Sequence, residues 1–232
     1  MKEIKDHEQL RRYLQLYRIE AIFNEQIVPY LSLFSFNQGE LICSQGEAAE
    51  YLYVLVKGKV KIYHTSAEGK SLILSFKNPV EVIGDIEYVQ GIEFINTVEA
   101  VSPVHMIGVQ QRWLKKYGKG DASLLQFLLE IITNKFCVKS NSLSFNLMHP
   151  VEIRLASYLL SVSFDEADSQ FQGHLKSANL RDAANLIGTS YRHLNRVIQQ
   201  FGKEGLIERD KGVIVVKDRE GLSTLASRNI YE

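Results

Sequence analysis

Cysteine is scarce: the 232 residues hold two, Cys43 and Cys137. Two thiols set far apart give no disulfide framework and no Cys-x-x-Cys metal ribbon, so both are expected reduced. Long apolar runs are missing too. None approaches the roughly 20 residues that span a bilayer. The stretch from Met1 to Arg12 is charged where a secretory leader would be apolar. The expectation is a cytoplasmic protein with no membrane partner. A surplus of charge is also lacking. Lys plus Arg and Asp plus Glu stand at 27 each, for a net charge of +0. That removes a general argument for nucleic-acid binding, but a DNA footprint requires only a local basic patch.

Catalytic and metal signatures are absent from the sequence as well. The histidines, His7, His64, His105, His149, His174 and His193, form no His-x-His or His-Glu-x-x-His pattern. No nucleophile elbow, P-loop or Gly-rich dinucleotide fingerprint occurs. An enzyme is not expected, and no metal or cofactor is assigned. One alternative stays open. His64 and His105 could meet in a cupin-like barrel, giving a ligand- or metal-binding protein that does not touch DNA.

What is present is ordinary globular composition, 45% hydrophobic and 23% charged, over a length that suits two modest domains or one large one. Four stretches follow one another. Residues 1–30 read as helical, because Leu10, Tyr13, Leu14 and Tyr17 recur at helical spacing, with Ile22, Phe23 and Ile27 after them and Pro29 closing the stretch. Residues 31–110 alternate short β-rich runs, such as Tyr51 to Val56, Val60 to His64 and Leu72 to Phe76, with glycine turns. That pattern predicts an antiparallel barrel or sandwich. Residues 111–148 contain a dense apolar helix from about Leu124 to Leu147. Its greasy face is too wide for one neighbour, so a stripe is left for a second copy of the chain. Cys137 lies on this helix, where an interchain redox switch competes with a plain buried thiol.

Residues 149–232 carry the informative motif. Leu180 to Leu186 reads as a short helix, with Ala183 and Ala184 small enough for close packing. Ile187-Gly188-Thr189 makes a tight turn, and Ser190 is a suitable N-cap for the next helix. In that helix Leu194, Val197, Ile198 and Phe201 lie at i, i+3, i+4 and i+7. Tyr191, Arg192, Asn195, Arg196 and Gln199 take the other face. Arginine matches guanine edges, and Asn or Gln matches adenine. No acidic residue occurs from Ala183 through Lys203, so the local charge is positive. Leu206 to Arg209 and Val213 to Val216 flank a turn at Asp210-Lys211-Gly212, which predicts a hairpin wing. The DNA-contacting set is Ser190, Tyr191, Arg192, Asn195, Arg196, Gln199 and Lys211, and the partner is double-stranded DNA.

With Ser190-Tyr191-Arg192-His193-Leu194 and Val82-Ile83-Gly84-Asp85-Ile86-Glu87 in view, the chain resembles the CRP/FNR family of bacterial regulators. It is most similar to the YeiL-type branch. The resemblance implies an α+β architecture: an N-terminal cyclic-nucleotide-binding-like antiparallel β-roll (jelly roll) with a long dimerisation helix, then a C-terminal winged helix-turn-helix. It implies a homodimer on a pseudo-palindromic operator, and RNA polymerase as the partner of activators. It also implies an effector pocket region around Gly84, Asp85, Glu87, Asn96 and Thr97, for an unidentified ligand, with a roll that holds no ligand as the alternative.

Three departures stand out. Members that resemble the cAMP receptor keep a Gly-Glu pair for the ribose and an Arg-Ser pair for the phosphate. Here the first pair reads Gly84-Asp85. The second falls in Glu93-Phe94-Ile95-Asn96-Thr97, which has no cation, and that argues against cAMP. Arg192 stands where the common recognition helix has Glu, so a different half-site is expected. The oxygen-sensing branch needs four cysteine ligands, so two cysteines exclude a [4Fe–4S] cluster held by one chain.

Overall fold

The computed structural model describes residues 1–69, 71–162, 175–176, 180–210 and 213–226. They form two compact units, residues 1–64 with 77–136, and residues 65–76 with 137–232. Among the described residues no helix is long and apolar enough to cross a membrane.

The first unit opens on a strand, β1 (Lys2–Ile4), and a helix, α1 (His7–Leu16). The helical stretch predicted for residues 1–30 is therefore shorter. Asp6 caps α1 by accepting from the Gln9 amide, and β1 pairs antiparallel with β2 (Ser32–Phe36). The apolar residues after α1 lie around two 3-10 turns, Glu20–Ile22 and Val28–Tyr30. Next in chain order come β3 (Leu41–Cys43), β4 (Tyr51–Lys57), β5 (Val60–Thr65), β6 (Ser71–Lys77), which groups with the second unit but for Lys77, then β7 (Glu81–Ile83), α2 (Asp85–Gln90), β8 (Thr97–Ala100), β9 (Val104–Gln110) and α3 (Gln111–Tyr117). One sheet is ordered β1-β2-β9-β4-β7, and a second carries β3, β8 and β5.

The period of two explains the two cores of this unit. Successive strand side chains point to opposite faces. Leu33 of β2, Leu52, Val54 and Val56 of β4, and Ile107 and Val109 of β9 pack with Leu14, Leu114, Leu124 and Leu128 of the helices. Their neighbours Phe34, Phe36, Tyr53, Leu55, Val104 and Met106 fill the inside of the roll with Phe94 and Val98. A sheet covered on both faces reads as near-continuous apolar runs, which is why Leu52 to Val56 lacks any polar alternation.

The long helix is α4 (Ala122–Met148), 27 residues. Leu124 and Leu128 are buried, and Phe127 and Ile131 pack on the same cluster. On the other side, Leu125, Leu129, Phe136, Leu143 and Leu147 are 52% to 79% exposed.

The second unit contains α5 (Val151–Val162), β10 (Leu175–Lys176), α6 (Leu180–Leu186), α7 (Tyr191–Lys203), β11 (Ile207–Asp210), β12 (Val213–Val216) and α8 (Arg219–Ala226). Leu155 and Leu159 of α5, Ala183 and Ala184 of α6, the apolar face of α7 and Leu222 of α8 make one core. The wing is a three-stranded sheet ordered β10-β12-β11. The predicted hairpin is therefore joined by a third strand, β10, from the polar segment 163–177 that follows α5 in the sequence. Asp165, Glu166, Asp168 and His174 of that segment lie outside the described residues.

Candidate nucleic-acid interface

The entry to α7 is fixed by its sequence. Ser190 has extended backbone (φ −75°, ψ 146°), and its Oγ accepts from the His193 amide at 3.2 Å. This satisfies an orphan donor of the first turn. Before it, Gly188 has φ +67°, a conformation that side chains resist. Arg154 of α5, 9% exposed, backs this turn. Its Nη1 donates to the carbonyls of Ile187 and Gly188. Those carbonyls close α6, where a cation is favoured by the helix dipole. Sequence reasoning missed Arg154, because its partners lie 33 and 34 positions away.

Leu194, Val197, Ile198 and Phe201 are all buried, as the spacing predicts. Tyr191, Arg192, Arg196 and Gln199 are exposed, and Asn195 is half-buried. One side of one helix thus carries all five. Asn195 is partly engaged: its Nδ2 donates to the Tyr191 carbonyl at 3.0 Å. The guanidinium of Arg181, on α6, lies 5.6 Å from the centre of the Tyr191 ring and adds a cation to that end of the helix. The only sequence signal for Arg181 was its basic side chain on the first helix of the pair. In the wing, Lys217 pairs with Glu208 at 2.7 Å, both exposed. Lys211 and Gly212 of the wing turn lie outside the described residues.

In the roll, Gly84 precedes α2 with φ +90°, and a Cβ there would fall 2.6 Å from the Tyr51 carbonyl oxygen. Asp85 is buried and bonds the Lys135 ammonium at 2.9 Å. Burial alone would lower the Lys135 pKa, but the carboxylates of Asp85 and Glu81 hold it above the ordinary lysine value. Glu87 accepts from the Ile95 amide at 3.1 Å, which ties α2 to the segment before β8. Thr97 Oγ1 accepts from the Gln45 amide at 3.1 Å, and the Asn96 carbonyl lies 3.9 Å from Cys43 Sγ. His64 Nδ1 meets the Ile95 carbonyl, whereas His105 Nδ1 meets the Tyr13 hydroxyl. Among the described residues no group of three or more His, Cys, Asp or Glu could hold a metal ion.

Residues 33–117 match the model of a cyclic nucleotide-binding domain, and residues 153–225 match that of a Crp-like helix-turn-helix domain. Regulatory protein YeiL of Escherichia coli O157:H7 is 28% identical over 194 residues, 84% of this chain and 85% of that protein. The chain belongs to the CRP/FNR family of transcriptional regulators. A CRP-like cAMP-activated global transcriptional regulator of Mycobacterium tuberculosis is 21% identical over 209 residues, 89% of this chain and 91% of that protein. A CRP/FNR-family protein from Eubacterium rectale ATCC 33656 shares the fold, with a TM-score of 0.72, 21% identity, and coverage of 94% and 100% of the two chains.

CRP/FNR proteins are regulators with a DNA-binding head, and this member is no enzyme. The family model raises the question of a cyclic nucleotide. Its phosphate needs a cation or several free donors. Residues 93–97 contribute no cation. Phe94 is buried in the roll core, and Lys135 is already bonded to Asp85 and Glu81. These residues do not fit an anionic phosphate.

Proposed function

We propose that this CRP/FNR regulator works as a homodimer that lays one α7 per subunit into successive major grooves of a pseudo-palindromic operator. The carrying observation is the division of α7: four apolar side chains buried on one side, with Arg192, Arg196 and Gln199 exposed on the other. Ser190, Tyr191, Asn195 and, in the wing turn, Lys211 complete the contact set. Phosphate contacts set register, and side chains reaching base edges set sequence. Two such helices one DNA turn apart read half-sites spaced about 34 Å. Arg192 replaces the carboxylate of the common family pattern, so it cannot accept from a cytosine amine, and the half-site differs there.

The exposed side of α4 supports the dimer. Leu125, Ile132 and Lys139 lie seven residues apart, as do Leu129, Phe136 and Leu143, which is the repeat of a two-helix seam. Cys137 is one residue past Phe136 and so about 100° around the helix. It flanks that seam, which argues against an interchain disulfide through Cys137. On this reading residues 31–110 form the sensor roll, 111–148 the dimerisation helix and 149–232 the DNA head. The protein acts in the cytoplasm, with RNA polymerase as the partner the family likeness implies. Its effector is neither cAMP nor a single-chain iron–sulfur cluster.

Fluorescence titration of the full chain against mixed-sequence duplex DNA tests this, at about 50 mM and about 200 mM salt. Binding that weakens steeply with salt is expected. No binding at the lower salt overturns the reading.

A further inference from the structure

The β7–α2 turn holds three carboxylates largely out of water. Glu81, Asp85 and Glu87 are 8%, 2% and 6% exposed. Buried carboxylates are costly unless paired or hydrogen-bonded. Lys135 of α4 answers two of them. Its Nζ lies 2.9 Å from Asp85, 2.9 Å from Glu81 and 2.6 Å from the Val82 carbonyl oxygen. An ammonium has three hydrogens, and these three acceptors take them all. Glu81 has a second cation, Lys77, at 3.5 Å. Glu87 has the Ile95 amide instead. Three carboxylates thus face two ammoniums, and Lys135 has no donor left for a ligand.

Helix geometry explains why this lysine turns inward. Lys135 follows Ile131 by four positions and Leu128 by seven, so it continues the face of α4 that covers the roll. Phe136, the next residue, belongs to the exposed side.

We propose that Lys135 is the resident counter-ion and positioning residue of the roll. Its ammonium ties α4 to the β7–α2 turn and leaves the roll without a cation for a cyclic nucleotide. A phosphate entering here meets one of two costs. It draws Lys135 away and orphans Asp85 and Glu81, or it stays unpaired beside Glu87 and Glu93. The tie between roll and long helix is therefore permanent and does not wait for an anionic ligand. One consequence, that operator affinity is indifferent to cyclic nucleotide, rests on the DNA-binding reading above. The tie itself does not.

Two measurements on the full-length protein test the inference without DNA. Calorimetric titration with cAMP should give no saturable heat, and one-site saturable binding to the wild type overturns the proposal. In hydrogen exchange, Lys135→Met should speed the amides of Asp85–Gln90 and of α4 around Lys135 together, by about tenfold or more. Lys135→Arg should return most of that protection, since it keeps the charge. Exchange in α2 that is unchanged by Lys135→Met, or equally fast in the Arg and Met variants, overturns the tie. Failure of DNA binding alone leaves both readouts standing.

Discussion

The β7–α2 turn of the roll and the outer face of α7 in the DNA head treat their cations in opposite ways. At the β7–α2 turn Lys135 is bonded to two carboxylates and a carbonyl. On α7, Arg192 and Arg196 are exposed, and no carboxylate among the described residues pairs with them. A cation already paired inside the protein can bind an external phosphate only by giving up its partner. One left in water has no such partner to lose, and it gains from counterion release on DNA. A net charge of +0 is therefore compatible with DNA binding: it sums over the whole chain, while Arg192 and Arg196 stay exposed on one face of α7.

The largest expected effect tests what holds the head's arginines in place. Phe201, on the inner face of α7, is fully buried, so Phe201→Ala should cost about 3–5 kcal/mol through lost burial and a cavity. Thermal melts and hydrogen exchange of α7 amides read this directly. Fast exchange should appear in the core of the second unit, and protection at β4 and β9 of the first should persist. An unchanged α7 breaks the assignment of that face to the core.

Next comes the free cation itself. Arg196→Ala should weaken operator binding by about 1–3 kcal/mol and relax preference at one base pair if it reads guanine. An equal loss on every sequence, with the salt slope falling by about one, reassigns Arg196 to phosphate. Lys135→Met is the matching control: a bonded lysine releases no counterion on DNA, so the salt slope should not move. A changed slope would blur the contrast between the two regions.

The head was more legible in the sequence than the roll, for a physical reason. The signals of α7 are local: a cap at Ser190, a glycine turn at Gly188, and an apolar set repeating within eight residues. Strand boundaries from Tyr51 to Phe76 were close for the same reason. Lys135 could not be found this way, because Asp85 lies 50 residues off and no period links them. Arg154 was hidden likewise. Strand β1 was missed because Lys2-Glu3-Ile4 is too short to show alternation and owes its form to pairing with Leu33 to Ser35. The third wing strand, β10, is two residues long and rests on the same kind of distant pairing.

A smaller effect should come from the cap. Ser190→Ala removes the acceptor of the His193 amide and should cost about 1 kcal/mol of head stability. Ser190→Asp should restore the cap. At the DNA face, however, its charge should weaken binding, since carboxylates repel phosphate. Stability and affinity should therefore part company in that variant, as measured by melting and by titration of the same duplex. If they move together, Ser190 lies away from the phosphates.

The smallest effect at neutral pH concerns Cys43, which shares the roll's store of negative charge. Burial pushes its thiol pKa up to about 12, Glu87 and Glu47 add to this, and a backbone hydrogen bond at Val98 opposes it. The folded value lies above the ordinary 9.0. The stability this confers is thus complete below pH 9 and is lost as pH rises from there toward 12. The loss is at most about 1.4 kcal/mol per pH unit, because the unfolded thiol ionises and the folded one does not. Denaturant melts at pH 7 and pH 10 should show an alkaline loss in the wild type that exceeds the loss in Cys43→Ala. Iodoacetamide at pH 8 should mark the exposed Cys137 and spare Cys43. Equal labelling of the two would mean that the roll does not keep this thiol neutral beside Glu87, and it would weaken the case for a roll closed to anions.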